Sequence, residues 1–266
     1  MSKSQGNSLI KTSEEIQLMR EGGKILSKIV HELALFSENA KCTFDIENLA
    51  EKLVNDYGVV SAFKGQYDYK YNTCLSVGDA IIHGIPNMKP LNMGDVLKID
   101  MGIIFENMYL DHATTVVYGE SNEDFDKGKF NSSLKIRNIA REILQFVESS
   151  PNIKAGCLSR DISFIIDSYC QRKGYFPCED YVGHGVGHSL HEQPDIFCFF
   201  DDNLPKFVLE EGMTIAIEPM ISEKRGKTYI DVDDEFTVRI KNGGLSAFFE
   251  DSVLITANGI EVLTKF

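Results

Sequence analysis

Apolar residues recur at Ile16, Met19, Leu26, Ile29, Val30 and Leu33 with polar residues between them, which is one stripe of an α-helix. Immediately before the stripe, Thr12-Ser13-Glu14-Glu15 has the capping-box pattern, in which a threonine and a glutamate three residues on bond each other's backbone amides. A long first helix is therefore predicted. A second stripe runs through Ile46, Leu49 and Leu53, with Thr43 as its expected N-cap and Gly58 beyond its end. Aromatic and alternating segments follow and read as strands; Tyr67, Tyr69 and Tyr71 fit simple alternation along one strand face. After a charged loop from Glu120 to Lys129 the order recurs. Helical periodicity from Leu134 to Val147 is followed by Ile162, Ile165, Ile166 and Tyr169, stopped near Gly174, and then by strands.

The recurrence reaches particular residues. Gly94-Asp95-Val96-Leu97-Lys98-Ile99-Asp100 and Gly212-Met213-Thr214-Ile215-Ala216-Ile217-Glu218 each end a strand-like run on an acid six residues after a glycine. His83-Gly84-Ile85-Pro86 and His191-Glu192-Gln193-Pro194 each carry a proline three residues after a histidine. An internal duplication predicts one domain over residues 1–266 with pseudo-two-fold halves of about 1–118 and 125–266. The halves would share a curved sheet with helix pairs outside, acids facing inward and the site between them.

Three histidines, His184, His188 and His191, fall within eight residues punctuated by Gly183, Gly185 and Gly187. Alternating glycines argue against a helical zinc-protease motif and for strand or tight-turn backbone close to a ligand. A turn centred between Phe105 and Glu106 would set Asp100 opposite Asp111, with Cβ atoms about 4.5–5.5 Å apart. Two carboxylates so placed repel unless a cation lies between them or one is protonated; a one-residue bulge would instead turn one to the far face. Glu218 ends the apolar run Ile215-Ala216-Ile217, and Glu250 follows Ala247-Phe248-Phe249. Hard oxygen donors with one imidazole suit divalent first-row ions better than a structural zinc. Four carboxylates and a hydroxide carry about −5 against +4 from two ions, a balance that a cleft tolerates.

Composition narrows the partners. With 27 Lys+Arg against 40 Asp+Glu in 266 residues, the formal charge of −13 argues against nucleic acid as substrate and against anionic membrane surfaces. No stretch approaches the roughly 18 apolar residues of a membrane span, and the start from Met1 to Leu9 is polar with no signal core. Six scattered cysteines without a Cys-x-x-Cys pair read as reduced thiols in a cytoplasmic protein.

In this order the residues resemble the type I methionine aminopeptidases, which share the α+β pita-bread fold with creatinase and the proline-specific peptidases. The resemblance runs from Ile10-Lys11-Thr12 and Met19-Arg20 through Ser76-Val77-Gly78-Asp79, His83-Gly84-Ile85-Pro86, Ile99-Asp100 and Asp111. It continues through Gly183-His184-Gly185-Val186-Gly187, His191-Glu192 and Ile217-Glu218-Pro219-Met220 to Glu250. It implies removal of N-terminal methionine by a hydroxide held between two divalent ions, manganese, iron, cobalt or zinc. The ions would be bound by Asp100, Asp111, His184, Glu218 and Glu250, with Asp111 and Glu250 bridging. It further implies substrate contacts from His83 and His191, Glu218 as base, and a methionine pocket of Phe63, Tyr69, Cys74, Leu190 and Phe236. A monovalent cation nearby, nascent chains beginning with methionine as substrates, association with the ribosome and a monomeric state belong to the same expectation.

Gly78, Gln66, Ile82 and His188-Ser189 depart from the family pattern and bear on the pocket and the monovalent-ion site, not on the divalent-metal ligands. The start of the chain and the gap between Asp111 and His184 fit type I without a zinc-binding extension. Two other readings compete: cleavage of Xaa-Pro bonds by the same centre, and a binding protein that keeps the fold without the chemistry.

Overall fold

The computed structural model of the chain describes residues 9–265; the polar start, Met1 to Ser8, lies outside the described residues. The first half runs α1 (Ser13–Ser37), α2 (Thr43–Tyr57), β1 (Val60–Ser61), a 3₁₀ turn (Gln66–Asp68), β2 (Cys74–Val77), β3 (Ala80–Ile82), β4 (Val96–Phe105) and β5 (Met108–Val117). The second half runs α3 (Asn131–Glu148), α4 (Ser159–Lys173), β6 (Phe176–Pro177), β7 (Val182–Gly185), β8 (Glu192–Phe197) and β9 (Thr214–Ile217). It closes with β10 (Ile221–Ser222), β11 (Thr228–Ile230), β12 (Val238–Ile240), β13 (Ser246–Ala247), β14 (Glu250–Ile255) and β15 (Ile260–Val262).

The capping box at Thr12 and Glu15 forms as the sequence predicts, and α2 and α4 end on Gly58 and Gly174 in left-handed conformations that a side chain would strain. The start of α2 differs from expectation. Thr43 is the first helical residue, because Asp45 accepts from the amides of Lys41 and Cys42 and so closes the helix end one residue earlier. The tyrosine run also differs. It spans the 3₁₀ turn and the irregular segment after it rather than a strand: Tyr67, in the turn, is exposed with φ 48°, whereas Tyr69, just past it, is buried with its hydroxyl donating to the Thr73 carbonyl at 2.7 Å.

One antiparallel sheet organises the molecule in the order β1-β4-β5-β14-β9-β7-β8, with β2 added on β4 and β15 on β14. Outward from the β5–β14 contact the antiparallel order is β5, β4 and β2 in one direction and β14, β9 and β7 in the other. Each half carries its own helix pair. Met19, Leu26, Ile29 and Leu33 of α1 and Ile46 and Leu53 of α2 bury against Leu97, Ile99, Met101 and Ile103, the odd-numbered residues of β4. Ile136, Ile143 and Val147 of α3 and Ile162 and Ile166 of α4 bury against Ile215 and Ile217 of β9. Burial of each such side chain stabilises by roughly 1.5–3 kcal/mol, so apolar contact is the main hold of the helices on the sheet. With odd residues of β4 committed to helices, the period of two turns Lys98, Asp100 and Gly102 to the other face. Among the described residues no helix is long and apolar enough to cross a membrane, and all six cysteines are free.

The approach of α1 to the sheet depends on Gly22 and Gly23. A Cβ on Gly23 would lie 2.2 Å from the Leu263 carbonyl oxygen, and one on Gly22 would lie 2.6 Å from Leu110. In an open helix Gly→Ala stabilises by about 1 kcal/mol. Gly23→Ala is expected to destabilise by about 1–3 kcal/mol instead, because backbone must move; urea denaturation of the two proteins reads the sign directly.

Candidate metal centre and active site

The site is built around one alanine. The β4–β5 hairpin turns at Glu106-Asn107, with φ 48° and 66° as a two-residue primed turn requires, so Phe105 pairs with Met108. The turn centre is one residue later than expected from sequence. Asp100 therefore faces Ala113 and Gly102 faces Asp111, and the two acids are diagonal neighbours rather than directly opposed. Moving the centre by one residue shifts the pairing by two, which keeps both acids on one face. From the other side, Glu250 of β14 also pairs with Ala113. Ala113 is thus flanked across the sheet by Asp100 and Glu250, with Asp111 two residues along its own strand. His184 pairs with Ala216 on β9, and Glu218 follows one residue beyond the strand's end at Ile217.

Asp100, Asp111, His184 and Glu250 are buried, and Glu218 is nearly so. One donor atom from each of Asp111, His184 and Glu250 lies within 4.8 Å of the others. Asp100 Oδ1 and Glu250 Oε1 are buried with no hydrogen-bond partner. Burial pushes the Asp111 carboxyl up to about 7 against the opposing bonds from His112 and Asp100, and burial with the neighbouring carboxylates raises Asp100, Glu218 and Glu250 well above the ordinary range. Burial pulls His184 down to about 3, keeping it neutral, and its Nδ1 lies 2.9 Å from the Gly185 carbonyl, leaving Nε2 as the free acceptor aimed at the acids. Unpartnered oxygens, crowded carboxylates and a neutral imidazole with its lone pair inward are the donor set of a divalent-cation site, and the residues fit that role.

Neighbouring strands steer the acids. The Ser252 hydroxyl accepts from the Asp111 amide at 2.9 Å and bonds its carbonyl at 2.8 Å, and the His112 amide donates to Asp111 Oδ1 at 3.0 Å. These supporting residues escape a reading of the sequence, although each lies one or two positions from an acid in a β-strand.

A cavity of about 170 Å³ opens over the acids and is lined by every residue singled out from sequence: the five above with His83, His191, Phe63, Tyr69, Cys74, Leu190 and Phe236. Gln66, Tyr67 and Ile82 line it as well. Tyr69 and Phe236 meet edge-on, centroids 5.2 Å apart, forming an apolar wall. Burial pushes the Cys74 thiol well up, so it is an inert wall residue. His191 lies 4.4 Å from His184 between ring centroids, and His83 packs edge-on to Tyr181 with its backbone at φ 56°. Both residues keep exposed surface, and partial desolvation of their rings by the cavity walls lowers them, His83 to about 4. His188 is not part of this group: its Nε2 bonds Glu15 at 2.8 Å, tying the loop to the start of α1.

Two buried carboxylates that the sequence does not mark hold the walls. Glu47 accepts from the amides and side chains of Asn72 and Thr73, fixing the approach to Cys74. Glu192 accepts from the Ser189 amide at 2.9 Å and from the Lys11 ammonium at 2.6 Å, and the Ser189 hydroxyl donates to the His191 carbonyl.

The chain belongs to metallopeptidase family M24, whose model matches residues 17–257. It is 36% identical to the methionine aminopeptidase of Mycoplasma capricolum over 96% of this chain and 98% of that one, which puts it in the methionine aminopeptidase group of the family. The methionine aminopeptidase of Thermotoga maritima has the same fold, with a TM-score of 0.88, 35% identity and coverage of 97% and 99% of the two chains. The prolidase from Pyrococcus furiosus shares it at a TM-score of 0.73 and 28% identity, over 97% of this chain and 66% of that one. The architecture is accordingly the α+β pita-bread fold.

Because cations compete with protons for these raised carboxyls, manganese loading of metal-free protein at neutral pH is expected to release protons, and affinity to increase as pH rises. Calorimetric titration in two buffers of different ionisation enthalpy tests this, and equal heats in both would contradict it.

Proposed function

We propose that the protein removes the N-terminal methionine of peptides and nascent chains by hydrolysing the first peptide bond. The observation that carries this reading is the union, in one cavity, of the buried acid–imidazole cluster with an apolar slot walled by Tyr69 and Phe236. Asp100, Asp111, His184, Glu218 and Glu250 would hold two divalent cations, with Asp111 and Glu250 shared, and manganese, iron, cobalt and zinc all suit the donors. When bound, such cations would supply Lewis-acid activation of water and carbonyl and an acceptor for the lone pair of the substrate's neutral α-amine.

The chain's own groups account for the remaining chemistry. Glu218, whose carboxyl burial disposes toward holding a proton, takes one from the attacking water and passes it to the leaving amine. His191, kept neutral by partial desolvation, retains one ring N–H to donate to the carbonyl oxygen as negative charge grows there. His83 faces the amide on the far side of the bond, on a backbone conformation costly for a non-glycine residue. Phe63, Tyr69, Cys74, Leu190 and Phe236 receive the unbranched thioether, which adapts to a narrow apolar slot.

The same reading takes the whole chain as one catalytic domain of two equivalent halves, supported by the strand order about the β5–β14 contact. It places the enzyme in the cytoplasm as a monomer acting at the ribosome, supported by six free thiols and by a site drawn from one chain.

Metal-free protein refilled with manganese, iron or cobalt is expected to release methionine from Met-Ala-Ser and to leave Ala-Pro-Ala intact; cleavage of the proline peptide alone would move it to prolidase-like chemistry. His191→Ala is expected to keep its metal and lose about 10²- to 10³-fold in turnover, whereas Asp111→Asn loses metal occupancy. Normal turnover in both variants, with metal content measured alongside, would overturn the assignment.

A further inference from the structure

Lys98 heads the fully buried side chains in size, yet no carboxylate among the described residues forms an ion pair with it. The neighbouring Asp79 is bonded instead by Arg239, at 2.7 Å. The Lys98 ammonium donates to neutral oxygens only: the Gly78 carbonyl at 3.0 Å, the Ser246 carbonyl at 3.1 Å and the Ser246 hydroxyl at 3.1 Å, with the Val96 carbonyl at 3.5 Å. The Ser246 hydroxyl can accept from lysine because its own proton has a carbonyl to go to, Gly78 at 3.0 Å or Ala80 at 3.1 Å. Three close acceptors match the three N–H bonds of an ammonium. Burial draws Lys98 down to about 7, with the Arg239 charge adding to the fall and the more distant charges of Asp79 and Asp95 opposing it.

A ring of carbonyl and hydroxyl oxygens about 3 Å from a buried single positive charge, without a counter-anion, is also what protein offers to a dehydrated potassium ion. We propose that these oxygens constitute a monovalent-cation site that the chain fills with its own ammonium, so that Lys98 replaces the monovalent cation expected near the catalytic centre. An external ion does not fit while Nζ occupies the ring. The inference goes beyond the proposed function and does not depend on which substrate is cleaved.

The site joins three segments that lead into the catalytic cavity. Gly78 forms the turn into β3, which ends one residue before His83; Lys98 is two residues before Asp100 on the same face of β4; Ser246 begins β13, four residues before Glu250. The amides of Gly78 and Ser246 add bonds to Val96 and Gly78, so the segments close around the charge.

Thermal midpoints of wild type, Lys98→Ala and Lys98→Met in potassium, ammonium and tetramethylammonium chloride at equal ionic strength test the proposal. Wild type is expected to show one midpoint in potassium and tetramethylammonium, because its site is filled. Lys98→Ala is expected to start lower and to rise by about 3–6 °C in potassium or ammonium at ten times the dissociation constant, and tetramethylammonium, too large for the ring, to have no effect. Lys98→Met fills the space without charge and is expected to be destabilised in every salt. A specific gain by wild type in potassium, an alanine variant indifferent to the cation, or a methionine variant as stable as wild type would each overturn the proposal. If the alanine variant does not fold in any salt, the wild type decides by NMR of ¹⁵N-lysine-labelled protein. One ammonium resonance protected from solvent exchange and absent from Lys98→Met is expected, and its absence from wild type overturns the proposal.

Discussion

Four carboxyl groups and an imidazole converge on a buried face around Ala113, and on their own they would not stay there. Removing one unpaired carboxylate from water costs several kcal/mol even after relaxation, and like charges at this spacing add to it. Without cations the acids can share the site only by holding protons, which is the direction in which burial moves them. The centre is therefore an electrostatic debt carried by the rest of the fold, and it explains why the surrounding sheet is so heavily pinned. Ser252 holds Asp111 by both backbone groups, and Thr115 bonds the Phe248 carbonyl from the strand beside it.

The walls of the cavity follow the same logic at lower cost. His191 stands on a glycine-rich loop with little packing of its own, and polar links supply its rigidity: Glu192 to Ser189 and Lys11, and His188 to Glu15. The pocket segment around Tyr69 and Cys74 is fixed by Glu47 from α2. In each case a buried carboxylate with all its bonds made replaces apolar packing that a reactive surface cannot have. The helix faces rely mainly on aliphatic contact, with polar ties such as Arg20 to Glu261 and Ser133 to the Gly94 carbonyl at their margins.

Similarity in fold to a prolidase as well as to a methionine aminopeptidase shows that the shared fold is not by itself what separates these activities. The frame of acids and imidazole comes from strands β4, β5, β7, β9 and β14, whereas the apolar wall comes from the 3₁₀ turn, β2 and the residues before β12. Gln66, in the 3₁₀ turn, and Ile82, at the end of β3, line the same cavity from elements that carry none of the buried acids.

Local chemistry was legible in the sequence wherever neighbours along the chain decide the outcome. The capping box at Thr12, the stops at Gly58 and Gly174 and the two helix stripes all depend on contacts within a few residues. Glu218 was legible because it closes an apolar run, whereas Asp100 lies inside β4, Glu250 opens β14, and His83 and the pocket residues came only from the family resemblance; the structure brings them into one cavity. Tertiary structure alone decided the register that separates Asp100 from Asp111, because a turn's centre is set by backbone torsions at Glu106 and Asn107 that the residue pattern leaves open. It also decided that Tyr67 and Tyr69 part company at the end of a 3₁₀ turn, and that Lys98, an ordinary strand lysine in sequence, is buried among carbonyls. Backbone oxygens carry no sequence signature, so a site made of them exists only once distant strands have met.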